Sequence, residues 1–397
     1  MSANEFRAPK WILPIIVISQ FCCTSLWFAG NGVMPDLIQS FQLADSALSY
    51  LTSAVQFGFI SGTLLFALLT IADRFSPSKV FLISAILGAI FNLGVIIEDN
   101  TLFSLLGLRF STGFFLAGIY PVGMKIAADY FDKGLGKSLG FLVGALVLGT
   151  AFPHLLQGLD IAWEWSSVLI ITSSLAVLGG VLMLVFVPDG PYRKASQKLD
   201  FGALSYIFRN LQFRKASLGY LGHMWELYSF WAFVPLMLTT FLLFNPEANL
   251  NISLWAFMII AIGSIACVIG GYLAQVYGST KIASLALILS GLCCVLSPLF
   301  FLQNSATVFV GFLIFWGMVV IMDSPLLSSL VAQSAPAESK GTALTIVNSM
   351  GFSLTIISIQ LLGYLNTQFD PRYIYLVLAL GPIFGLLGLT RKTTQEL

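Results

Sequence analysis

The sequence predicts an all-α membrane protein whose twelve transmembrane helices form two pseudo-symmetric six-helix bundles. Three observations support this fold class: a composition of 57% hydrophobic and 9% charged residues, a series of long apolar runs, and an internal duplication. A soluble domain carries about 25% charged residues, so this chain has too few charges to cover a surface that faces water. The apolar runs are continuous rather than alternating, which excludes a transmembrane β-barrel.

The apolar runs are long enough to cross a bilayer, for which a helix needs about 20 residues. They fall near residues 11–35, 46–72, 78–97, 101–130, 138–158, 165–187, 216–243, 252–277, 281–302, 307–331, 341–364 and 373–390. A polar stretch separates the sixth run from the seventh. The predicted domains are therefore a first bundle over residues 1–187, a cytoplasmic linker over 188–215 and a second bundle over 216–397.

The linker contains apolar residues at helical spacing, with Arg209, Arg214 and Lys215 beside them. These apolar residues are Leu204, Ile207, Phe208 and Leu211. The pattern predicts a short amphipathic helix on the membrane surface, and a plain linker is the alternative.

The distribution of the 19 Lys and Arg residues predicts the orientation in the membrane. Nearly all of them lie on the side that carries both termini, whereas the opposite side holds only Arg372. Arg109 and Lys125 lie inside span 4. Because basic loops stay in the cytoplasm, both termini are expected there, most naturally at a bacterial inner membrane.

The two halves of the sequence match each other at a nearly constant separation. Trp27 in span 1 pairs with Trp231 in span 7, and Pro121 in span 4 pairs with Pro325 in span 10. Many secondary transporters are built from such repeats, with the binding site at the interface of the two halves. The duplication therefore favours transport by alternating access.

Two loop motifs and one helix motif give the chain a family resemblance. The loop after span 2 reads Ile-Ala-Asp-Arg-Phe over residues 71–75, and its counterpart over residues 271–278 reads Gly-Tyr-Leu-Ala-Gln-Val-Tyr-Gly. Span 4 carries Arg109 and Gly113 in the pattern of a fourth-helix motif. In these features the chain resembles the major facilitator superfamily. The resemblance implies a monomeric transporter in which Asp73 and Arg74 latch the two halves in one conformation.

One segment resembles a particular branch of that superfamily. The sequence pattern of residues 131–149 is similar to that of nitrate/nitrite and cyanate-type bacterial transporters. Nitrate transporters resemble one another in carrying an Arg within spans 2 and 8, and this chain has none there. Nitrate is therefore discounted as the solute.

Ionisable residues inside spans are the strongest candidates for function, because charge inside a membrane is costly. Span 7 contains His223 and Glu226, three residues apart and on one helix face. Glu226 lies about 15 Å from the start of its span. Because burial disfavours the charged form of a carboxylate, Glu226 could carry a proton with the solute. The alternative for both residues is a structural ion pair or hydrogen bond.

Spans 4 and 10 carry further candidates beside their prolines. Asp323 precedes Pro325 by two residues and either forms part of a solute or proton site or caps the helix segment below the kink. Arg109 is expected to neutralise Glu226 or Asp323 across the interface, or to hold an anionic solute. Lys125, four residues before Asp129, is expected at the inner mouth in a local ion pair.

Uncharged side chains are expected to complete the pathway. Tyr120 precedes Pro121 and shapes the same cavity, and Trp27, Asn31, Trp231 and Asn348 either line the pathway or serve packing.

The leading hypothesis is a secondary active transporter for the proton-coupled uptake of a small polar or organic-anion solute. The alternatives are an exporter that exchanges a drug or metabolite for protons and, in another class, a non-transporting membrane receptor. No metal-ligand cluster, nucleotide-binding loop or paired nucleophile and base is visible in the sequence. We therefore expect no enzyme activity, no cofactor or metal, and no nucleic-acid partner; the expected partners are the solute, protons and the lipid bilayer.

Overall fold

The computed structural model describes residues 8–131, 135–159, 164–193, 208–336 and 340–390. Those residues form helices and loops, with no β-strand among them. Ten helical spans are long and apolar enough to cross a membrane, and two shorter apolar segments lie near the two ends of the chain. The predicted all-α fold of twelve membrane helices is confirmed.

The first bundle contains spans 1 to 6. Span 1 consists of α1 (Ile12–Thr24), α2 (Ala29–Gly32) and α3 (Met34–Ser40). Span 2 is α4 (Ala47–Leu68), which the short helix α5 (Ile71–Arg74) follows, and span 3 is α6 (Pro77–Gly94). Span 4 consists of α7 (Leu102–Leu116) and α8 (Tyr120–Tyr130), span 5 is α9 (Leu135–Gly158), and span 6 is α10 (Ser166–Phe186).

The second bundle contains spans 7 to 12. Spans 7, 8 and 9 are α11 (Leu211–Phe244), α12 (Ile252–Tyr277) and α13 (Ser279–Phe301). Span 10 consists of α14 (Ala306–Met322) and α15 (Ser324–Ser334), and span 11 is α16 (Lys340–Gln368). Span 12 begins as a 3₁₀-helix (Ile374–Ala379) and continues as α17 (Leu380–Thr390).

Because the number of spans is even, both termini lie on one side, here called the terminal face; the opposite side is the distal face. The predicted boundaries are close to those observed. The largest differences are five residues: span 1 extends to Ser40 rather than 35, and α11 begins at Leu211 rather than near residue 216. Asn210 starts α11 by accepting hydrogen bonds from the amides of Gln212 and Phe213. Of the predicted surface helix, Leu204 and Ile207 lie outside the described residues, whereas Phe208 lies in a turn and Leu211 is the first residue of α11.

Proline interrupts one helix in each bundle at matching places. Pro121 and Pro325 occupy the first turns of α8 and α15, immediately after the breaks in spans 4 and 10. Proline has no amide hydrogen and its ring clashes with the preceding turn, so a helix breaks before it. The predicted kinks are thus observed as interruptions of both helices, over residues 117–119 in span 4 and at Asp323 in span 10.

Glycines allow some helices to touch through their backbones. A Cβ atom on Gly58 would lie 1.9 Å from the carbonyl oxygen of Phe110, and one on Gly113 would lie 2.0 Å from the carbonyl oxygen of Val55. Spans 2 and 4 therefore pack without intervening side chains, as small residues permit in membranes. Between the halves, span 2 packs along span 11 and span 5 along span 8.

Candidate functional site

Span 1 is broken near its middle, in a segment without proline. Helix α1 ends at Thr24 and α2 begins at Ala29. The guanidinium of Arg109 donates hydrogen bonds to the carbonyl oxygens of Leu26 and Trp27, at 3.2 and 2.7 Å. Carbonyls freed by a helix break need a donor inside a membrane. Arg109, which is 1% exposed, supplies that donor and so stabilises the break.

Asn92 on α6 holds Arg109 from the other side. Its Oδ1 accepts a hydrogen bond from Arg109 Nη1 at 2.9 Å, while its amide donates to Ser173 Oγ at 3.0 Å. Arg109 was expected to face a carboxylate or the solute. Its hydrogen bonds instead go to Asn92 and to backbone carbonyls, all within the first bundle.

The interface of the two bundles is filled by aromatic rings, here called the interface cluster. Its members are Trp27, Phe28, Phe59 and Tyr120 from the first bundle and Tyr228, Trp231 and Phe352 from the second. The Trp27 ring lies 5.8 Å from both Tyr228 and Phe352, measured between ring centroids. Phe28 meets Trp231 edge to face at 6.4 Å. The duplicated tryptophans thus lie on opposite sides of one contact surface.

The break in span 10 carries a buried acid–base pair. His223 Nδ1 on α11 lies 2.8 Å from Asp323 Oδ1, and both side chains are almost completely buried. The two groups are at ion-pair distance but are not aligned for a hydrogen bond, so Asp323 Oδ1 lacks a hydrogen-bond partner among the described residues, as does His223 Nε2. Asp323 stands at the start of α15 without capping it. The predicted cap is not formed, because the side chain faces His223, whereas the functional role of Asp323 stays a prediction.

Cys267 on α12 contacts the backbone at the break in span 10. Because Pro325 has no amide hydrogen, the carbonyl of Ile321 lacks its helical partner. The Cys267 thiol lies 3.6 Å from that carbonyl oxygen and donates to it. The thiol therefore provides a donor to the backbone at the break.

Glu226 is fully hydrogen-bonded inside the second bundle. Its carboxylate accepts hydrogen bonds from Trp316 Nε1 at 2.7 Å, Ser290 Oγ at 2.9 Å and Cys294 Sγ at 3.3 Å. These donors lie on spans 9 and 10. Residues two apart on a helix point to opposite sides, and Tyr228 points to the interface cluster. The Glu226 side chain therefore points away from the interface of the bundles.

The distal face is closed by hydrogen bonds between the halves. Gln360 Nε2 on α16 donates to the carbonyl oxygen of Ser49 at 3.0 Å and to Ser53 Oγ at 2.8 Å, both on α4. Asn251, which caps α12, donates to the carbonyl oxygen of Gly158 at 2.9 Å. Spans 2 and 11, and spans 5 and 8, are therefore joined at their distal ends.

The same interface is open nearer the terminal face. A cavity of about 510 Å³ lies between spans 2, 7 and 11, with Ile60, Leu221, Ile346 and Ser353 among its lining residues. The lining residues of span 11 lie within about 21 Å of its terminal-face end at 1.5 Å per residue. The halves are thus hydrogen-bonded to each other at the distal face, and a groove lies between spans 2, 7 and 11 nearer the terminal face.

The charged residues at the terminal face form a network within the first bundle, here called the terminal-face brace. Lys125 Nζ lies 2.9 Å from Asp73 Oδ1 and 3.7 Å from Asp129 Oδ1. Arg193 donates to the carbonyl oxygens of Asp73 and Phe75, at 3.0 and 2.8 Å, and also pairs with Asp189. The predicted Lys125–Asp129 ion pair is present.

The expected latch residues take different roles in this arrangement. The Asp73 side chain contacts Lys125 in its own bundle. Arg74 Nε donates to Thr70 Oγ1 at 3.1 Å within its own loop. Whether they latch the halves in another conformation stays a prediction.

The remaining predicted pathway residues are dispersed. Asn31 donates to Thr52 Oγ1 at 2.8 Å, inside the first bundle. Asn348 is half-buried on α16, next to Ser349 of the cavity wall. Trp27, Tyr120 and Trp231 meet in the interface cluster, whereas Arg109, His223, Asp323 and Glu226 lie in two separate bundle interiors.

Several polar residues of the site carry no signal in the sequence. They are Gln56, Asn92, Ser290, Trp316 and Gln360. Uncharged polar side chains are common in helices, and only the packing shows which of them meet a charged group or the other half. Among the described residues, no group of three His, Cys, Asp or Glu side chains is placed to hold a metal ion.

Comparison with known families decides the classification. The family model described as Major Facilitator Superfamily matches residues 16–359. The chain belongs to the major facilitator superfamily. No curated protein sequence matches it. The site described above is therefore that of a membrane transporter, as the sequence motifs predicted.

Solved structures of other transporters share the fold. A bacterial homologue of the human lysosomal transporter Spinster, in an inward-facing and unoccupied conformation, is 14% identical with a TM-score of 0.70, covering 98% of this chain and 95% of that chain. The nucleoside transporter NupG is 14% identical with a TM-score of 0.71, covering 96% of this chain and 100% of that chain. The proton:xylose symporter XylE is 14% identical with a TM-score of 0.74, covering 95% and 94%. At this identity the likeness concerns the fold alone.

Proposed function

We propose that this superfamily member is a proton-coupled symporter that takes up a small polar or organic-anion solute by alternating access. The single observation that carries the proposal is the buried His223–Asp323 pair at the break of span 10. Ionisable groups inside a membrane are costly and mark proton or solute pathways. The solute would bind between the halves, at the interface cluster, and the protein would act as a monomer.

The pair can couple protonation to movement of the halves. An ionised Asp323 attracts a protonated His223 strongly at 2.8 Å, because the surroundings are apolar. A proton on the carboxylate cancels that attraction and releases His223. Imidazole changes its charge near physiological pH more readily than other side chains. Since Asp323 lies at the break between α14 and α15 and His223 lies on α11, the charge state of the pair would change the attraction between span 7 and the break of span 10.

Glu226, which the sequence indicated as a proton carrier, is the alternative to the His223–Asp323 pair. Three donors surround its carboxylate within the second bundle, and it points away from the interface cluster. A proton at Glu226 would have to reach it through the packed side chains of spans 9 and 10. This geometry supports the assignment of the coupling proton to Asp323 and His223, with Glu226 holding spans 7, 9 and 10 together.

The direction of transport is proposed from charge and topology. The side rich in Lys and Arg is the cytoplasm under the positive-inside rule, so the terminal face would be cytoplasmic in a bacterial inner membrane. The opening of the interface toward that face then corresponds to a solute-releasing state of an importer. An exporter would use the same state for loading, and only a transport measurement separates the two.

The test uses proteoliposomes that contain a pH-sensitive dye and carry an inward proton gradient. A panel of carboxylates, amino acids, sugars and nucleosides is added outside, and solute entry and proton entry are followed together. We expect one solute class to enter with protons, and Asp323→Asn to lower the gradient-driven uptake at least about tenfold, equivalent to about 1.4 kcal/mol.

Two further variants make the result specific. Asp370→Asn is the matched control, because Asp370 pairs with Arg372 in a distal loop far from the break. Glu226→Gln should keep proton coupling but lower thermal stability. If Glu226→Gln abolishes coupling while Asp323→Asn keeps it, the coupling proton belongs to Glu226. If the gradient never drives uptake of any solute, proton symport is refuted.

A further inference from the structure

Two buried hydrogen-bond donors at the interface cluster have no partner. Trp27 Nε1 donates to Gln56 Oε1 at 3.2 Å. An indole N–H only donates, so this bond fixes the Gln56 amide with its oxygen toward Trp27 and its nitrogen away from it. Gln56 Nε2 is then left buried and unpartnered. Trp231 Nε1, in the opposite half, is also buried and unpartnered.

Unpartnered donors in such a place indicate a missing acceptor. Buried polar groups are nearly always hydrogen-bonded, and leaving one unpaired costs free energy. Gln56 contacts Trp27, and Trp231 contacts Phe28, the residue next to Trp27. The two donors therefore lie beside adjacent residues of span 1, one donor in each half. A solute that accepted a hydrogen bond from each donor would connect the first bundle to the second.

The surfaces between these donors are flat and apolar. Trp27 and Phe352 are stacked across the interface, with an angle of 25° between their planes. Trp27 and Tyr228 are tilted by 32°. When the halves separate and a flat ring enters, the contact between Trp27 and Phe352 is replaced by two contacts, one between the entering ring and each of these residues. Both contacts can adopt the offset geometry that aromatic groups prefer. A strongly hydrated, ring-free solute would find no comparable partners here.

The charges around the cluster restrict the solute further. None of the seven cluster side chains is a cation, and both terminal nitrogens of Arg109 are engaged in hydrogen bonds. An anion buried without a cation is strongly disfavoured. A carboxylate could occupy this site only together with a proton, which the symport proposed above would supply.

From these contacts we infer that the solute is a flat aromatic compound with at least two acceptor oxygens, of which an aromatic carboxylic acid is the simplest. Its ring would lie against Trp27 and Phe352, and its oxygens would accept from Gln56 Nε2 and Trp231 Nε1. This inference rests on the proposed transport function and narrows the substrate class of the same site.

The test measures uptake of labelled benzoate into proteoliposomes, with benzamide, cyclohexanecarboxylate and glucose as competitors. We expect saturable benzoate uptake and no competition by glucose. Benzamide, which lacks one acceptor oxygen, and cyclohexanecarboxylate, which lacks the flat ring, should each compete roughly tenfold more weakly than unlabelled benzoate. Trp231→Phe keeps the ring and removes the donor, and Gln56→Glu keeps Oε1 and removes the amide hydrogens. Each should raise the KM for benzoate roughly tenfold.

Trp225→Phe is the matched control on the same helix. Trp225 Nε1 donates to the carbonyl oxygen of Val377, outside the cluster, so this variant should keep the wild-type KM. Thermal unfolding of each purified variant, with and without benzoate, shows whether it is folded and whether it binds the probe.

The outcomes separate this inference from the proposed function. If a ring-free solute enters with protons while benzoate neither enters nor raises the unfolding temperature, the symport proposal holds and the substrate class is wrong. If benzoate enters saturably without proton movement, the substrate class holds and the coupling is wrong. If both donor variants are folded and keep the wild-type KM, the two donors do not bind the solute and the inference is overturned.

Discussion

Gln360 holds the two halves together at the distal face, and its removal should shift the conformational equilibrium. Its two hydrogen bonds to α4 measure 3.0 and 2.8 Å. A hydrogen bond contributes about 0.5–1.5 kcal/mol net, so Gln360→Ala removes about 1–3 kcal/mol from the closed distal face. A difference of this size changes an equilibrium about 5- to 150-fold.

The shift can be measured as a distance between the distal ends of the halves. Spin labels at Ala44→Cys, before α4, and at Thr367→Cys, near the end of α16, report this distance by pulsed electron paramagnetic resonance. The five native cysteines are buried, which favours labelling at the introduced positions. In Gln360→Ala we expect the population with a longer distance to grow, and transport to become limited by closure of the distal face.

Gln303→Ala is the matched control, because Gln303 lies in a distal loop and donates only to Leu299 of its own helix. Its distance distribution should equal that of the wild type. If Gln360→Ala also gives the wild-type distribution, the two hydrogen bonds do not hold the distal face closed, and the closure must come from the packing of spans 5 and 8.

Three further predictions concern the folded state. Gly58→Ala should lower the thermal unfolding temperature of the purified protein, because its Cβ would overlap a backbone carbonyl of span 4, whereas Gly107→Ala, with nothing within 4 Å, should leave it unchanged. Arg109→Leu should lower the yield of folded protein in size-exclusion chromatography, because it leaves the Trp27 carbonyl and Asn92 Oδ1 unpaired, at about 1–3 kcal/mol each. An unchanged yield and unfolding temperature would show that the break in span 1 needs no donor. Hydrogen bonds from Arg372 lower the pKa of Asp370, so the pair stabilises the fold above the unfolded pKa of about 3.9 and loses that effect as pH falls through the lower folded value. Asp370→Asn should therefore reduce the unfolding temperature slightly at pH 7, and this reduction should become smaller as the pH is lowered below about 3.9.

The sequence predicted the spans, the duplication and the breaks in spans 4 and 10, because each has a local chemical cause. The length of each apolar run defines a span, and Pro121 and Pro325 define the breaks in spans 4 and 10. The break in span 1 lies in a segment, residues 25–28, that contains neither proline nor glycine. It depends on Arg109, a residue far away in the sequence, so no local pattern could show it.

The candidate site was predicted in its members but not in its pairings. His223 and Glu226 share a helix face by spacing, yet His223 meets Asp323 while Glu226 meets Trp316 and Ser290. Three residues along a helix turn the side-chain direction by about 60°. In a packed bundle this angle is enough to select different neighbouring helices. Residue type therefore indicates which groups matter, whereas only tertiary packing decides what each group faces.

The terminal-face brace has a mechanical consequence for the transport cycle. Lys125, Asp73 and Arg193 tie the ends of spans 2, 4 and 6 to one another. Because these contacts join its helices, the first bundle should resist sliding of one helix against another and move as a rigid body. We therefore expect a movement at the break of span 4 to be passed on to Arg193, within the linker that leads to the second bundle. Removing the brace should let the helices of the first bundle move separately and so weaken this transmission.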